Sequence, residues 1–220
     1  MFGEPRETST MHDAGFVRIQ QRAECVFAAR SRIESVPSSD GADARQAGCA
    51  AAPYLAEFAT RIDRDELDGL LIELTDPTHG ADLDAVARST RAVLSGLLEA
   101  QGTSEAIGLS EVGSEHWWLT LCDTRWFVLV FAPCYDSTSP RHTFGSPSTY
   151  VLLQPVASFD RRATPRGATI KQEVRQLIRD SYTECGRQYD AELAQQDVES
   201  LKFVWPANAG EQPVRWWEAR

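Results

Sequence analysis

Hydrophobic positions along this chain follow two rhythms. Between residues 117 and 159 lie three unbroken apolar runs, WWLTLC, WFVLVFAP and TYVLLQP, each of strand length and rich in β-branched and aromatic residues. In the first two, odd and even positions are both largely apolar, which predicts strands covered on two faces rather than one. The turn Cys122-Asp123-Thr124-Arg125 between the first two is short enough for an antiparallel hairpin. A long excursion over 132–148 separates the second from the third.

Elsewhere the rhythm is helical. Phe16, Ile19, Ala23, Val26 and Phe27 predict a helix, or two short helical pieces, within 15–32. PYLAEFAT opens at Pro53 as a short helix, and DRDELDGLLIELTDP reads as another, with Leu67, Leu70, Leu71 and Leu74 as its stripe and Pro77 as its stop. The clearest helix spans 81–100, where Leu83, Val86, Val93, Leu94, Leu97 and Leu98 share a face and Gly102 follows the end. TIKQEVRQLIRDSYTECG places Ile170, Val174, Leu177, Ile178 and Tyr182 on one stripe ending at Gly186, and RQYDAELAQQ continues as helix. LKFVWP reads as a short strand closed by Pro206, and Trp216 and Trp217 dock the tail. Residues 1–13 lack periodicity and are predicted to be flexible. The small, polar run VPSSDGADARQAGCAAA over 36–52 predicts a mobile loop. Helices, then strands, then helices give an α+β fold: one domain over 14–220, with an antiparallel-leaning central sheet covered by N-terminal and C-terminal helices.

Composition narrows the function classes. At 220 residues the chain can bury a core. A formal charge of -10, from 32 Asp plus Glu against 22 Lys plus Arg, works against a nucleic-acid backbone or an anionic membrane and favours a cationic small molecule. Five cysteines, odd in number and without a CxxC pair, read as thiols in a reducing compartment. The polar, acid-bearing start MFGEPRETSTMHD is no signal peptide and no run is long enough to span a bilayer, so a cytoplasmic protein is expected. Phosphate-loop, HExxH and GxSxG patterns do not occur.

Candidate chemistry gathers in the 132–148 excursion. Cys134, Tyr135, Asp136, Arg141 and His142, with Tyr150 at its far end, can donate, accept or ligate, while three prolines and Gly145 favour a defined shape. Other candidates have bland alternatives. Cys25 reads as a buried small hydrophobe, His79 in DPTHG as an exposed turn histidine or a ligand, and Trp117, Trp118 and Trp126 as core packing or a pocket wall.

FVLVFAPCYDSTSPRHTFGSPSTYVLLQPVASFDR, together with the earlier ECVFAARS, resembles the YqcI/YcgG family. That family shows a CPFA-like segment, a strand ending before a His-Pro step, a Ser/Arg loop ending in Phe, and a second strand ending in Asn-Pro-His before a Phe-acid-Arg ending. Here the similar segments are CVFA at 25–28, Ala132-Pro133, SPRHTF and QPVASFDR at 154–161. The resemblance implies a haem-dependent oxidoreductase that N-hydroxylates a small amine or guanidino compound in natural-product biosynthesis. Ala132 and Val156 stand where the family-like histidines would be, so the implied metal ligand passes to His142, with Cys134 and Cys25 as thiolates and Tyr135 as alternatives. Arg141 would take a haem propionate or substrate carboxylate bidentately. Self-association into a homodimer is left open. The competing expectation is a cofactor-free binding or immunity-type protein whose acidic surface and tryptophans engage a basic partner.

Overall fold

The computed structural model describes residues 14–25, 27–38, 41–163 and 172–220. The segment expected to be flexible, 1–13, lies outside them, as do Val26, Ile170 and residues 39–40 of the expected loop. The described chain is a single α+β domain around a five-stranded open sheet. Helix α1 spans Ala14–Arg22, strand β1 Ile33–Ser35, α2 Ala44–Arg61, β2 Gly69–Leu74, α3 Leu83–Ala100 and the one-turn α4 Glu105–Gly108. Strands β3 (Leu119–Leu121), β4 (Thr124–Phe131) and β5 (Thr149–Pro155) follow, then α5 (Val156–Ala163), α6 (Gln172–Glu184) and α7 (Ala191–Ala194).

Sheet order is β1-β2-β5-β4-β3, parallel between β1 and β2 and antiparallel elsewhere. The three apolar runs are the three expected strands. Cys122 and Asp123, at φ 50° and 56°, make the two-residue hairpin turn, because positive φ at both central positions matches the twist of the flanking strands.

A further strand, the six-residue β2, corrects the helix expected over DRDELDGLLIELTDP. Both periods are satisfied by a run of leucines, and the structure decides for the strand by covering it on both faces. Leu70, Ile72 and Leu74 join the core under α2 and α3, while Leu71 joins Phe16, Ile19, Phe131, Tyr150 and Leu152 under α1. Inserted between β1 and β5, β2 sits inside the sheet rather than over it.

The loop expected over 36–52 is also corrected, since its second half is the start of α2. Asp43 caps that helix by accepting from Gln46 N at 2.8 Å, and Pro53 lies within the helix rather than at its head. Small residues that looked too poor to bury anything are what let α2 and α3 approach. A Cβ at Gly48 would collide with the Val93 carbonyl, and one at Gly96 with the Arg45 carbonyl. The α3 helix itself starts as expected, on an Asp82 cap that accepts from Ala85 N at 2.7 Å.

LKFVWP is not a strand. A 3-10 turn at Glu199–Lys202 delivers Phe203, Val204 and Trp205 as buried side chains that join the core instead of the sheet. Trp216 stacks on Phe203 at 5.7 Å and 10°, and donates its indole N–H to Ser200 O at 2.8 Å, so the tail docks as expected. On α6, Tyr182 faces the body, but Leu177 is 54 % exposed and leaves the stripe. The helical continuation reaches only the single turn of α7, capped by Asp190.

The glycine contact generates a test. Gly48→Ala forces the two helices apart and is expected to cost about 1–3 kcal/mol, read as a lowered urea midpoint with unchanged slope. An unchanged midpoint would show that the crossing tolerates a methyl group.

Candidate functional site

Loop 132–148 leaves the end of β4 and returns to β5 as a defined shape. Asp136 accepts from Thr138 N at 2.8 Å and Ser139 N at 3.2 Å, and His142 N donates to Ser139 O at 3.2 Å. Other parts of the chain hold it: Cys134 N donates to Gly80 O at 3.1 Å and Gln188 N to Thr138 O at 2.9 Å. Burial alternates from Arg141 inward to His142 outward, Thr143 inward and Phe144 outward. Phe144 has φ 53° and Gly145 φ 90°, so a non-glycine residue occupies the left-handed region at the start of the return.

On the inner side, Arg141 is buried between the rings of Phe131 and Trp205, with its guanidinium carbon 5.5 and 5.0 Å from their centroids. Its Nη2 donates to Lys202 O at 3.4 Å, its Nε has no hydrogen-bond partner, and no carboxylate pairs with it among the described residues. Burial pushes Arg141 below its ordinary value, opposed by the nearby Tyr182, Tyr135 and Tyr189 hydroxyls and the Cys25 thiol. Tyr135 is equally enclosed and donates its hydroxyl to Trp205 O at 2.8 Å, with burial pushing its pKa up. Burial raises the Cys25 thiol too, and raises Cys134 to about 11, so neither is a ready thiolate at neutral pH.

His142 is half-buried on the outer side. Its Nδ1 lies 2.8 Å from Tyr135 O, and its ring meets Phe144 edge-on at 5.2 Å. A carbonyl can only accept, so the neutral imidazole carries its proton on Nδ1 and its lone pair on Nε2. That tautomer suits an axial ligand. The surroundings do not suit a haem, however, because the named residues do not converge on a cavity. Arg141 and Tyr135 are spent on Trp205, and Cys134 on the Gly80 turn. None of the four borders either of two hollows found beside the loop. One is a cleft of about 10 Å³ along Ser139, Asp190 and Trp205, room for a single water.

The other is an open cavity of about 290 Å³ between α1 and the returning half of the loop, lined by Gly15, Arg18, Glu73, Gly145, Ser146, Pro147, Ser148 and Tyr150. Its size approaches the lower end for small-molecule sites. Strand register builds its floor: Glu73 on β2 is the cross-strand partner of Tyr150 on β5, so both side chains leave the same face of the sheet. Ser146 Oγ and Tyr150 Oη share a hydrogen bond at 2.8 Å, and Ser148 N donates to Ser146 Oγ at 3.3 Å. Arg18 fixes the rim by donating from Nη1 to Phe144 O at 3.3 Å. The arrangement puts a carboxylate, a guanidinium and a hydroxyl pair around one space.

The loop was expected to line a ligand site and it forms one wall of this cavity. Arg18 and Glu73 were missed. Glu73 did carry a signal, a lone acid inside the apolar run GLLIEL, but the helical expectation for that run concealed it.

The remaining candidates take structural parts. His79 is half-buried rather than exposed, with Nδ1 3.0 Å from Ser89 Oγ. Trp117 and Trp126 are core residues whose indoles donate to Gly108 O and Leu121 O, both at 3.0 Å. Among the described residues no three His, Cys, Asp or Glu side chains cluster as a metal site, and no helix is long and apolar enough to cross a membrane.

No family model, curated protein or solved structure matches the chain.

If Arg141 serves mainly by filling space between two rings, Arg141→Met should hold stability to within about 1 kcal/mol, whereas Arg141→Ala should lose about 2–4 kcal/mol. Chemical denaturation decides. Equal losses in both variants would mean that the charge, not the volume, matters.

Proposed function

We propose that the protein binds a small amine-bearing polar molecule of the amino-acid type, without a cofactor, in the open cavity beside α1. The observation that carries this is that the Glu73 carboxylate and the Arg18 guanidinium line the same space of about 290 Å³. An ammonium or guanidinium group is matched by Glu73, a carboxylate by Arg18, and uncharged polar atoms by the Ser146 and Tyr150 hydroxyls. A few placed polar groups in a small concavity are what orient such a ligand. An amine ligand is also what the sequence led one to expect, while the tryptophans expected to engage a basic partner are mostly spent on the core.

A second reading is haem-dependent N-hydroxylation, implied by the YqcI/YcgG resemblance. Its one support is the lone pair left on His142 Nε2 by the Nδ1 contact. No chemical step is derived through a haem, because the loop residues do not enclose one.

Calorimetric titration with a panel of amino acids and simple amines tests the proposal. Wild-type protein is expected to bind amino acids, and Glu73→Gln to weaken them at least about tenfold, the scale of one charge-assisted hydrogen bond. No heat from any amine, or an unchanged affinity in Glu73→Gln, would overturn it. Haemin titration separates the two readings: a Soret shift abolished by His142→Ala would favour the second.

A further inference from the structure

We propose that Phe144 is a positioning residue of the open cavity beside α1: its ring, gripped by Arg22, Arg187 and His142, holds the returning half of loop 132–148 in the shape that lines the site. The inference rests on the binding proposed above and names a residue outside the lining on which the site depends.

Thr143 to Ser146 form a tight turn, in which Ser146 N donates to Thr143 O at 3.2 Å and Thr143 Oγ1 donates to Ser146 O at 2.8 Å. Its central residues, Phe144 and Gly145, have φ 53° and 90°, the pair of positive values that characterises a type I′ turn. Asn, Asp and Gly take such values at little cost, and Gly145 obeys that preference. A bulky aromatic residue does not, because its Cβ crowds the backbone in the left-handed region. Turn chemistry alone would not place a phenylalanine there.

The ring supplies the reason. Arg187 lies over it at 4.4 Å and Arg22 at 5.7 Å, and the His142 ring meets it edge-on at 5.2 Å. It also packs on the smaller core that Phe16 and Ile19 of α1 share with Tyr150. Arg187 is itself fixed, since its side chain is 10 % exposed and pairs with Glu24 at 3.1 Å, while its backbone N–H donates to Tyr182 O of α6 at 2.8 Å. Arg22 is the last residue of α1, so the ring ties the turn both to that helix and to the segment that follows α6. What the turn carries is the cavity wall: Gly145, Ser146, Pro147 and Ser148 follow Phe144 directly and line the space. Arg18, which lines it from α1, donates to the Phe144 carbonyl at 3.3 Å. The place of the wall's polar atoms depends on the same turn, because Ser146 Oγ accepts from Ser148 N and shares a hydrogen bond with Tyr150 Oη. Backbone strain of this kind persists where the surroundings over-determine it, and here those surroundings are the partners of the ring.

Two substitutions separate the ring from the backbone. Phe144→Asn accepts the left-handed conformation without the ring, and Phe144→Tyr keeps ring and strain alike. Hydrogen exchange followed by NMR is expected to show the Ser146 and Ser148 amides exchanging at least about tenfold faster in Phe144→Asn, while the amides of β4 and β5 keep their wild-type rates. Calorimetry is expected to show amino acids bound at least about fivefold more weakly by Phe144→Asn, and within about twofold of wild type by Phe144→Tyr. Unchanged wall amides or unchanged affinity in Phe144→Asn overturns this inference and leaves the binding proposal standing. So does acceleration of the β4 and β5 amides by the same factor as the wall, or a Phe144→Tyr variant that behaves like Phe144→Asn. Failure of the wild-type protein to bind any amine overturns both.

Discussion

The Arg141 guanidinium, held between the rings of Phe131 and Trp205, joins parts of the chain that no hydrogen-bonded ladder connects. Phe131 is the last residue of β4, Arg141 belongs to the loop that follows, and Trp205 lies in the C-terminal segment. Removing a charge from water is costly without an opposing charge, and the negative faces of two rings supply part of the compensation here. The contact commits the inner side of the loop to packing, and the Tyr135 hydroxyl bound to Trp205 O seals the same side. With alternate residues turned inward, His142 and Phe144 are left less buried, and the returning half of the loop forms a wall of the open cavity against α1.

Much of the fold was legible in the sequence, for reasons particular to each element. WFVLVFAP and TYVLLQP are apolar at nearly every position, too short for a helix of their own and bounded by turn residues, so buried strands fit them best. GLLIEL has the same character, but it follows a stretch of acids that would suit a helix start, and its true role depends on β1 and β5 closing on either side. Local pattern could not reveal neighbours supplied by residues 33–35 and 149–155. For α2 the difficulty was of another kind. Gly48 and the alanines around it resemble loop composition, whereas their value is the absence of side chain, which appears only when α3 is laid against them.

The site was legible by half. Prolines and Gly145 marked loop 132–148 as having a defined shape, which its turn hydrogen bonds show, and its returning half lines the open cavity. Concentrated polar side chains suggested that Cys134, Tyr135, Arg141 and His142 act together. A loop with alternating burial cannot do that, since neighbours in sequence point to opposite sides. The groups that do share a space, Arg18, Glu73, Ser146 and Tyr150, come from a helix, two strands and the loop, and only the sheet register brings Glu73 beside Tyr150.

Net charge, which pointed to a cationic ligand, averages over a surface that a ligand never meets as a whole. Asp43, Asp82 and Asp190 cap helices, and Glu34, Glu99 and Glu105 are engaged by arginines, so many of the acids behind the figure of -10 are already matched by donors of their own. What a small molecule samples is the field within about one Debye length, roughly 8 Å at physiological salt. Around the cavity that field is set first by the two charges that line it, Arg18 and Glu73, and not by the sum over the chain.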